Sequence, residues 1–215
     1  MRELRPLTPD RVPDLVGACA PCTFWQTVPR NGHRETADPQ GLLAEWVAQV
    51  TSEWAPPGRI AYVDEHPMGH VILAPAGQVS RLATFPTAPG DPSTLILVTV
   101  CTADARHDGR LRKALVQAAV KDALRARVRS LEAIGARPLA VGRHTCVLEV
   151  GFLERVGFHV ERDHLTYPRL RMDLRSVVTL KDEATERIAR ALVRLPGARH
   201  VPTHPGGATR ARSTR

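Results

Sequence analysis

Apolar residues along this chain recur with two periods, and the switches between them mark its elements. The opening R-E-L-R-P-L reads as a short strand, stopped by Pro6 and Pro9. Asp10 is placed to cap a helix over 11–18, and residues 26–38 are polar loop. Leu42, Leu43, Trp46, Val47 and Val50 then form the stripe of an amphipathic helix, which Pro56-Pro57-Gly58 ends. R-I-A-Y-V-D and M-G-H-V-I-L-A flank a short turn around Glu65-His66 and predict an antiparallel hairpin. Residues 76–93, rich in Pro, Gly and Thr, read as loop. The run Leu95–Cys101 is almost continuously apolar and largely β-branched, which suits a strand buried on both faces.

From Arg110 to about Arg127 the pattern is helical, with Leu111, Leu115, Ala118 and Ala119 on the buried stripe. R-S-L-E-A-I predicts the next strand, residues 135–144 a loop, and C-V-L-E-V-G-F-L-E-R-V a short helix with Gly157 as its C-cap. F-H-V-E-R and L-R-M-D-L are the last strands. A polar helix follows and ends at Pro196. The order β-α-α-β-β-β-α-β-α-β-β, then a terminal helix, is mixed α/β. Residues 196–215 hold little to bury and are expected to be a disordered basic tail, leaving 1–195 as one domain.

Charge changes this picture only at the C-terminus. The formal net charge is +8, yet seven arginines and no acid lie from Arg187 onward, so residues 1–186 are close to neutral. A strong basic face is therefore not expected on the folded part, and nucleic acid is disfavoured as a partner. No apolar run approaches the roughly 20 residues of a membrane span. The N-terminus is charged and proline-broken, unlike a secretory signal, so a cytoplasmic, soluble protein is expected. Cys19 and Cys22 form a C-x-x-C, but no second pair follows at zinc-ribbon spacing. With Cys101 and Cys146 they read as ordinary buried thiols, and no metal is expected.

A buried strand, a turn and a helix N-terminus together make an anion site, because the first amides of a helix have no internal partner. Leu95–Cys101, residues 102–109 and the helix from Arg110 supply that order. It resembles the acetyl-CoA motif of the GNAT superfamily of N-acetyltransferases, whose turn reads R/Q-x-x-G-x-G/A. Phe152-Leu153-Glu154-Arg155-Val156-Gly157-Phe158 is similar to that family's F-Y-E-R-x-G-F. Cys22-Thr23-Phe24-Trp25, Tyr62-Val63-Asp64, Leu115-Val116-Gln117, Lys121-Asp122 and Tyr167 to Arg175 resemble an uncharacterised actinobacterial branch. The resemblance covers roughly residues 1–195. It implies a mostly antiparallel central sheet flanked by helices, acetyl-CoA as co-substrate, and transfer of acetyl to an amine on a small molecule or protein. Cys101, Thr102, Ala103, His107, Asp108, Gly109, Arg110, Leu111 and Arg112 are the implied cofactor residues. The thioester would be polarised by amides around Cys101 to Ala103. A homodimer is left open.

Two departures bear on activity. Aligned on Ala114-Leu115-Val116, the turn reads His107-Asp108-Gly109-Arg110-Leu111-Arg112, so arginines replace both small residues. They either grip phosphate themselves or mark a loop that no longer binds the cofactor. Leu153 stands where many relatives carry the tyrosine that protonates the leaving thiolate. The amine must lose a proton, and Glu149, His70 and Asp104 have the right chemistry, although the sequence places none of them. Each is otherwise structural or solvated, as Cys101 is either a nucleophile or a packing thiol. Trp25, Trp46 and Trp54 read as core or lid, with Phe24 and Trp25 as candidate substrate contacts. His66/His70 and His200/His204 lack the helix or third partner that a metal site needs. The rival readings are a non-catalytic module of the same fold and a nucleic-acid-associated protein using its tail.

Overall fold

The computed structural model describes residues 2–20, 22–28, 38–103, 108–140 and 142–174, with the side chain of Asp108 left undescribed. Strands β1 (Arg2–Pro6), β2 (Gly58–Val63), β3 (His66–Pro75) and β4 (Leu95–Thr102) run antiparallel to their neighbours. Strand β5 (Ser130–Ala136) lies parallel to β4, and β8 (Arg169–Asp173) and β7 (His159–Arg162) continue antiparallel beyond it. The short β6 (Leu148–Glu149) pairs in parallel with the end of β5. The sheet thus runs β1-β2-β3-β4-β5-β8-β7, flanked by α1 (Pro39–Glu53), α2 (Asp108–Arg125) and α3 (Val150–Arg155). The expected mixed, mostly antiparallel sheet is present.

Alternation along the strands divides the core in two. Ile60, Ile72 and Val98 pack with Leu43, Trp46, Val47 and Val50 of α1 and with the N-terminal segment. Val71, Leu73 and Leu97 pack with Leu115 and Ala119 of α2 and with Phe152 and Leu153 of α3. Arg59 on β2 grips Asp122 on α2 through Nε at 2.5 Å and Nη2 at 2.7 Å, which fixes the helix on its face. Gly58, at φ 140°, lets β3 approach: a Cβ there would lie 1.9 Å from the Val71 carbonyl oxygen.

One irregularity shapes the site. Opposite Ile72 and Leu73, β4 supplies Thr99 and Leu97, so Val98 is an extra, unpaired residue. This β-bulge reverses the alternation: Ile96 and Val98 face the α1 side, whereas Val100 faces α2 and Cys101 joins the α1 side. Beyond the bulge β4 leaves β5, to which it pairs only at Ile96↔Glu132. The carboxyl ends of the two parallel strands therefore splay apart.

Four expectations are corrected. The segment over 11–18 is not an α-helix but two 3-10 turns, Pro9–Asp14 and Gly17–Cys19, because Pro13 has no N–H for an α-helical bond. The hairpin turn is Asp64-Glu65, both at positive φ (48° and 65°), as a two-residue turn with the twist of its strands requires. Residues 76–93 contain 3-10 turns at Ala76–Gln78 and Ser80–Thr84. The helix expected over 146–156 starts only at Val150, since Leu148 and Glu149 are taken into the sheet beside Gly135 and Ala136. The terminal helix and tail lie outside the described residues.

Candidate functional site

A cavity of about 340 Å³ occupies the splay. Its walls include Cys101 and Thr102 at the end of β4, Arg112 on the first turns of α2, Arg143 on the loop after β5, and Leu148 and Glu149 of β6. A crevice at the carboxyl ends of parallel strands, where neighbouring strands part, is where open α/β sheets bind ligands.

The backbone at the end of β4 has a definite polarity. The Ala103 amide donates to the Met68 carbonyl at 2.9 Å, so it is already used within the sheet. Gly69 and Thr102 form the adjacent pair, and successive amides of a strand point to opposite edges. The Thr102 amide consequently faces away from β3, toward the splay. Of the amides from Cys101 to Ala103, that of Ala103 bonds within the sheet, while that of Thr102 lies on the opposite edge of β4.

The first turn of α2 lies at the same opening. Gly109 is exposed, and a Cβ there would meet nothing within 4 Å among the described residues. Arg112 lines the cavity, and its guanidinium lies 3.8 Å from the centroid of the Phe152 ring. Thus two of the resembling segments, the turn and F-L-E-R-V-G-F, meet through a cation–π contact. Arg110 is exposed and does not line the cavity, while Leu111 packs against the α2-side core. His107 lies outside the described residues, and Asp108 is placed only by its backbone at the helix start.

Among the candidates for proton transfer, Glu149 faces the cavity and pairs with Arg143 at 3.3 Å. His70 is fully buried on β3, and neither ring nitrogen has a hydrogen-bond partner among the described residues. Burial pulls its pKa down to about 4, which keeps it neutral and structural. Asp104 lies outside the described residues. Leu153 is fully buried in the α2-side core, and no tyrosine lines the cavity among the described residues. Trp25 is buried and donates Nε1–H to the Cys146 carbonyl at 3.2 Å, and Trp46 donates to the Gln78 carbonyl at 2.7 Å. Both belong to the core.

Behind the cavity wall, residues far apart in sequence converge in a way that spacing did not reveal. Thr99 Oγ1 donates to Cys19 Sγ at 3.6 Å, and Cys19 also exchanges hydrogen bonds with Cys101 and Cys146. Those bonds pull the Cys19 thiol down and push the Cys101 and Cys146 thiols up. A raised pKa makes Cys101 a weaker nucleophile, and it packs against the α1-side core. Next to them, Cys22, His144 and Cys146 place their ligand atoms within 4.8 Å of one another.

No family model matches the sequence, and no curated protein matches it significantly. Solved structures do match the fold. An N-acetyltransferase from Staphylococcus aureus superposes with a TM-score of 0.52 at 11% identity, over 81% of this chain and 99% of its own. The PaiA N-acetyltransferase from Thermoplasma acidophilum, in complex with coenzyme A, gives 0.51 at 14% identity, over 80% of this chain and 99% of its own. A protein of Desulfovibrio desulfuricans provisionally described as a GNAT-family acetyltransferase gives 0.51 at 18% identity, over 81% and 99%. The chain has the fold of the GNAT N-acetyltransferases.

Proposed function

We propose that this chain transfers an acyl group, most simply acetyl, from coenzyme A to an amine. The observation that carries the reading is the cavity at the β4–β5 splay, bounded by the end of β4, the first turns of α2 and β6. The coenzyme A complex of the Thermoplasma acidophilum protein, which shares this fold, supports it. The exposed Gly109 and the guanidinium of Arg112 suit a phosphate-bearing ligand at the start of α2. Acetyl-CoA supplies the activated acyl group as a thioester. The chain's own contribution is positioning and electrostatics. A backbone amide at the end of β4, with Thr102 on the edge away from β3, polarises the thioester carbonyl, and a fixed dipole of this kind costs no reorganisation. Glu149 accepts the proton of the incoming ammonium, with Arg143 holding its carboxylate in place. The acceptor amine enters between β6 and the N-terminal turn, where Ala18 and Cys19 close the wall.

Leu153 favours a second reading, a non-catalytic module of the same fold, since it is fully buried and cannot donate a proton. Calorimetric titration with acetyl-CoA, followed by release of free thiol in the presence of an amine panel, separates the two. The enzyme reading expects binding and amine-dependent thiol release. It also expects Glu149→Gln to cut turnover about 100-fold at near-neutral pH while leaving acetyl-CoA affinity within about twofold. Absence of binding, or binding without release under any amine, would overturn the enzyme reading and leave the module with a degraded cofactor loop.

A further inference from the structure

The C-x-x-C at Cys19–Cys22 lacks a second pair at any ordinary spacing, and that was the reason to expect no metal. The fold brings two further donors to Cys22. The loop after β5 brings His144 and Cys146 against the N-terminal segment, so that Cys22 Sγ lies 4.0 Å from His144 Nδ1 and 3.9 Å from Nε2. In tetrahedral zinc, with Zn–S near 2.3 Å and Zn–N near 2.05 Å, sulfur and nitrogen ligands stand about 3.6 Å apart. The Cys22–His144 separations exceed this by only a few tenths of an ångström, and all three ligand atoms lie within 4.8 Å of one another.

We propose that Cys22, His144 and Cys146 form a site for zinc or a similar thiophilic divalent ion. Two thiolates and one imidazole are a donor set that zinc prefers, and three protein ligands leave a fourth position for solvent or a further thiol. The surrounding contacts already hold the ligands. The Cys146 amide donates to His144 Nδ1 at 3.2 Å, which holds the ring beside Cys146; a metal ion at Nδ1 would take the place of that bond. Phe24 stacks on the His144 ring with centroids 4.3 Å apart and planes 14° apart. The Phe24 amide donates to Cys22 Sγ at 3.4 Å, a bond that favours the thiolate a metal needs. Trp25 holds the Cys146 carbonyl, and Arg81 holds the Phe24 carbonyl at 2.9 Å. The ligands and their supports are thus fixed from three separate stretches of chain.

The site has a structural consequence for the cavity. Arg143, Thr145 and Val147 line the cavity, whereas His144 and Cys146, alternating with them, turn to the metal group. A bound ion would staple this loop to the N-terminal segment across more than a hundred residues of sequence, and so fix one wall of the acceptor side. The inference does not depend on acyl transfer, because metal content is measured directly.

Full-length protein prepared in the presence of a thiol reductant should contain about one zinc per chain by elemental analysis. After stripping, the folded protein should take zinc back from zinc chloride in competition with a chromophoric chelator, with a rise in Tm. Cobalt substitution should show thiolate-to-metal charge transfer, reduced in Cys22→Ser. His144→Ala and Cys146→Ser should each weaken zinc binding by at least about tenfold. Reduced, folded wild-type protein that takes up no zinc overturns the proposal, whether or not any variant folds. So does wild-type zinc affinity in Cys22→Ser combined with His144→Ala.

Discussion

A histidine buried without a partner at either nitrogen makes its protonation visible in stability. His70 sits between Ile60 of β2 and Cys101 of β4. Its pKa is depressed from the usual 6.5 to about 4, so between those values the unfolded chain binds a proton that the folded chain refuses. Folding stability is therefore intact above about pH 6.5 and falls as pH drops toward 4, by up to about 3 kcal/mol. Urea unfolding of wild type and His70→Leu across that window should show the steeper acid loss in wild type alone. Parallel curves would mean that His70 is not held neutral. At this scale sequence reading found residue types but not surroundings. Glu149, His70 and Asp104 were equivalent as carboxylate or imidazole, and only β6 pairing and the burial of β3 separate Glu149 from His70. Nothing local could join Cys22 to His144, because 121 residues lie between them.

At the scale of elements, periodicity located α1, α2 and the strands well, since their stripes are long and their burial is set by the same alternation. It failed where an element is set by something other than its stripe. Pro13 turns the expected α-helix over 11–18 into 3-10 turns, and pairing with β5 takes Leu148–Glu149 out of the next helix. The bulge at Val98 was hidden because an all-apolar run carries no alternation to break. That bulge matters, for it aims Cys101 at the N-terminal turn and frees the end of β4 from β5. The turn in question docks through Gly17, at φ 75°, where a Cβ would lie 2.5 Å from the Thr102 carbonyl oxygen and 2.8 Å from Cys101 Sγ. Gly17→Ala should cost roughly 1–3 kcal/mol in chemical denaturation, from left-handed strain together with the clash against backbone. A loss under half of that would show that the turn can lift from β4 freely.

Among the described residues, two arginines, Arg112 and Arg143, line the same cavity. Residues 1–186 are nearly neutral; Arg143 pairs with Glu149, Arg59 with Asp122, and Arg112 stacks on the Phe152 ring at the cavity. Arg110, two residues earlier, is exposed and off the cavity wall. The sequence treated Arg110 and Arg112 as equals, since both replace small residues of the phosphate turn. The helix separates them, because positions two apart on α2 face different sides. If Arg112 meets the cofactor phosphates, each charge-assisted contact contributes roughly 1.5–3 kcal/mol. Arg112→Ala should then weaken acetyl-CoA binding by at least about tenfold, and Arg110→Ala by less than about threefold. Raising salt should narrow the gap between Arg112→Ala and wild type, since added ions screen what the guanidinium contributes. Equal losses in both variants would mean that only the general positive potential matters. A gain in affinity for Arg112→Gly would instead show that the side chain obstructs the turn, and the exposed Gly109 would then belong to the remnant of a phosphate site rather than to a working one.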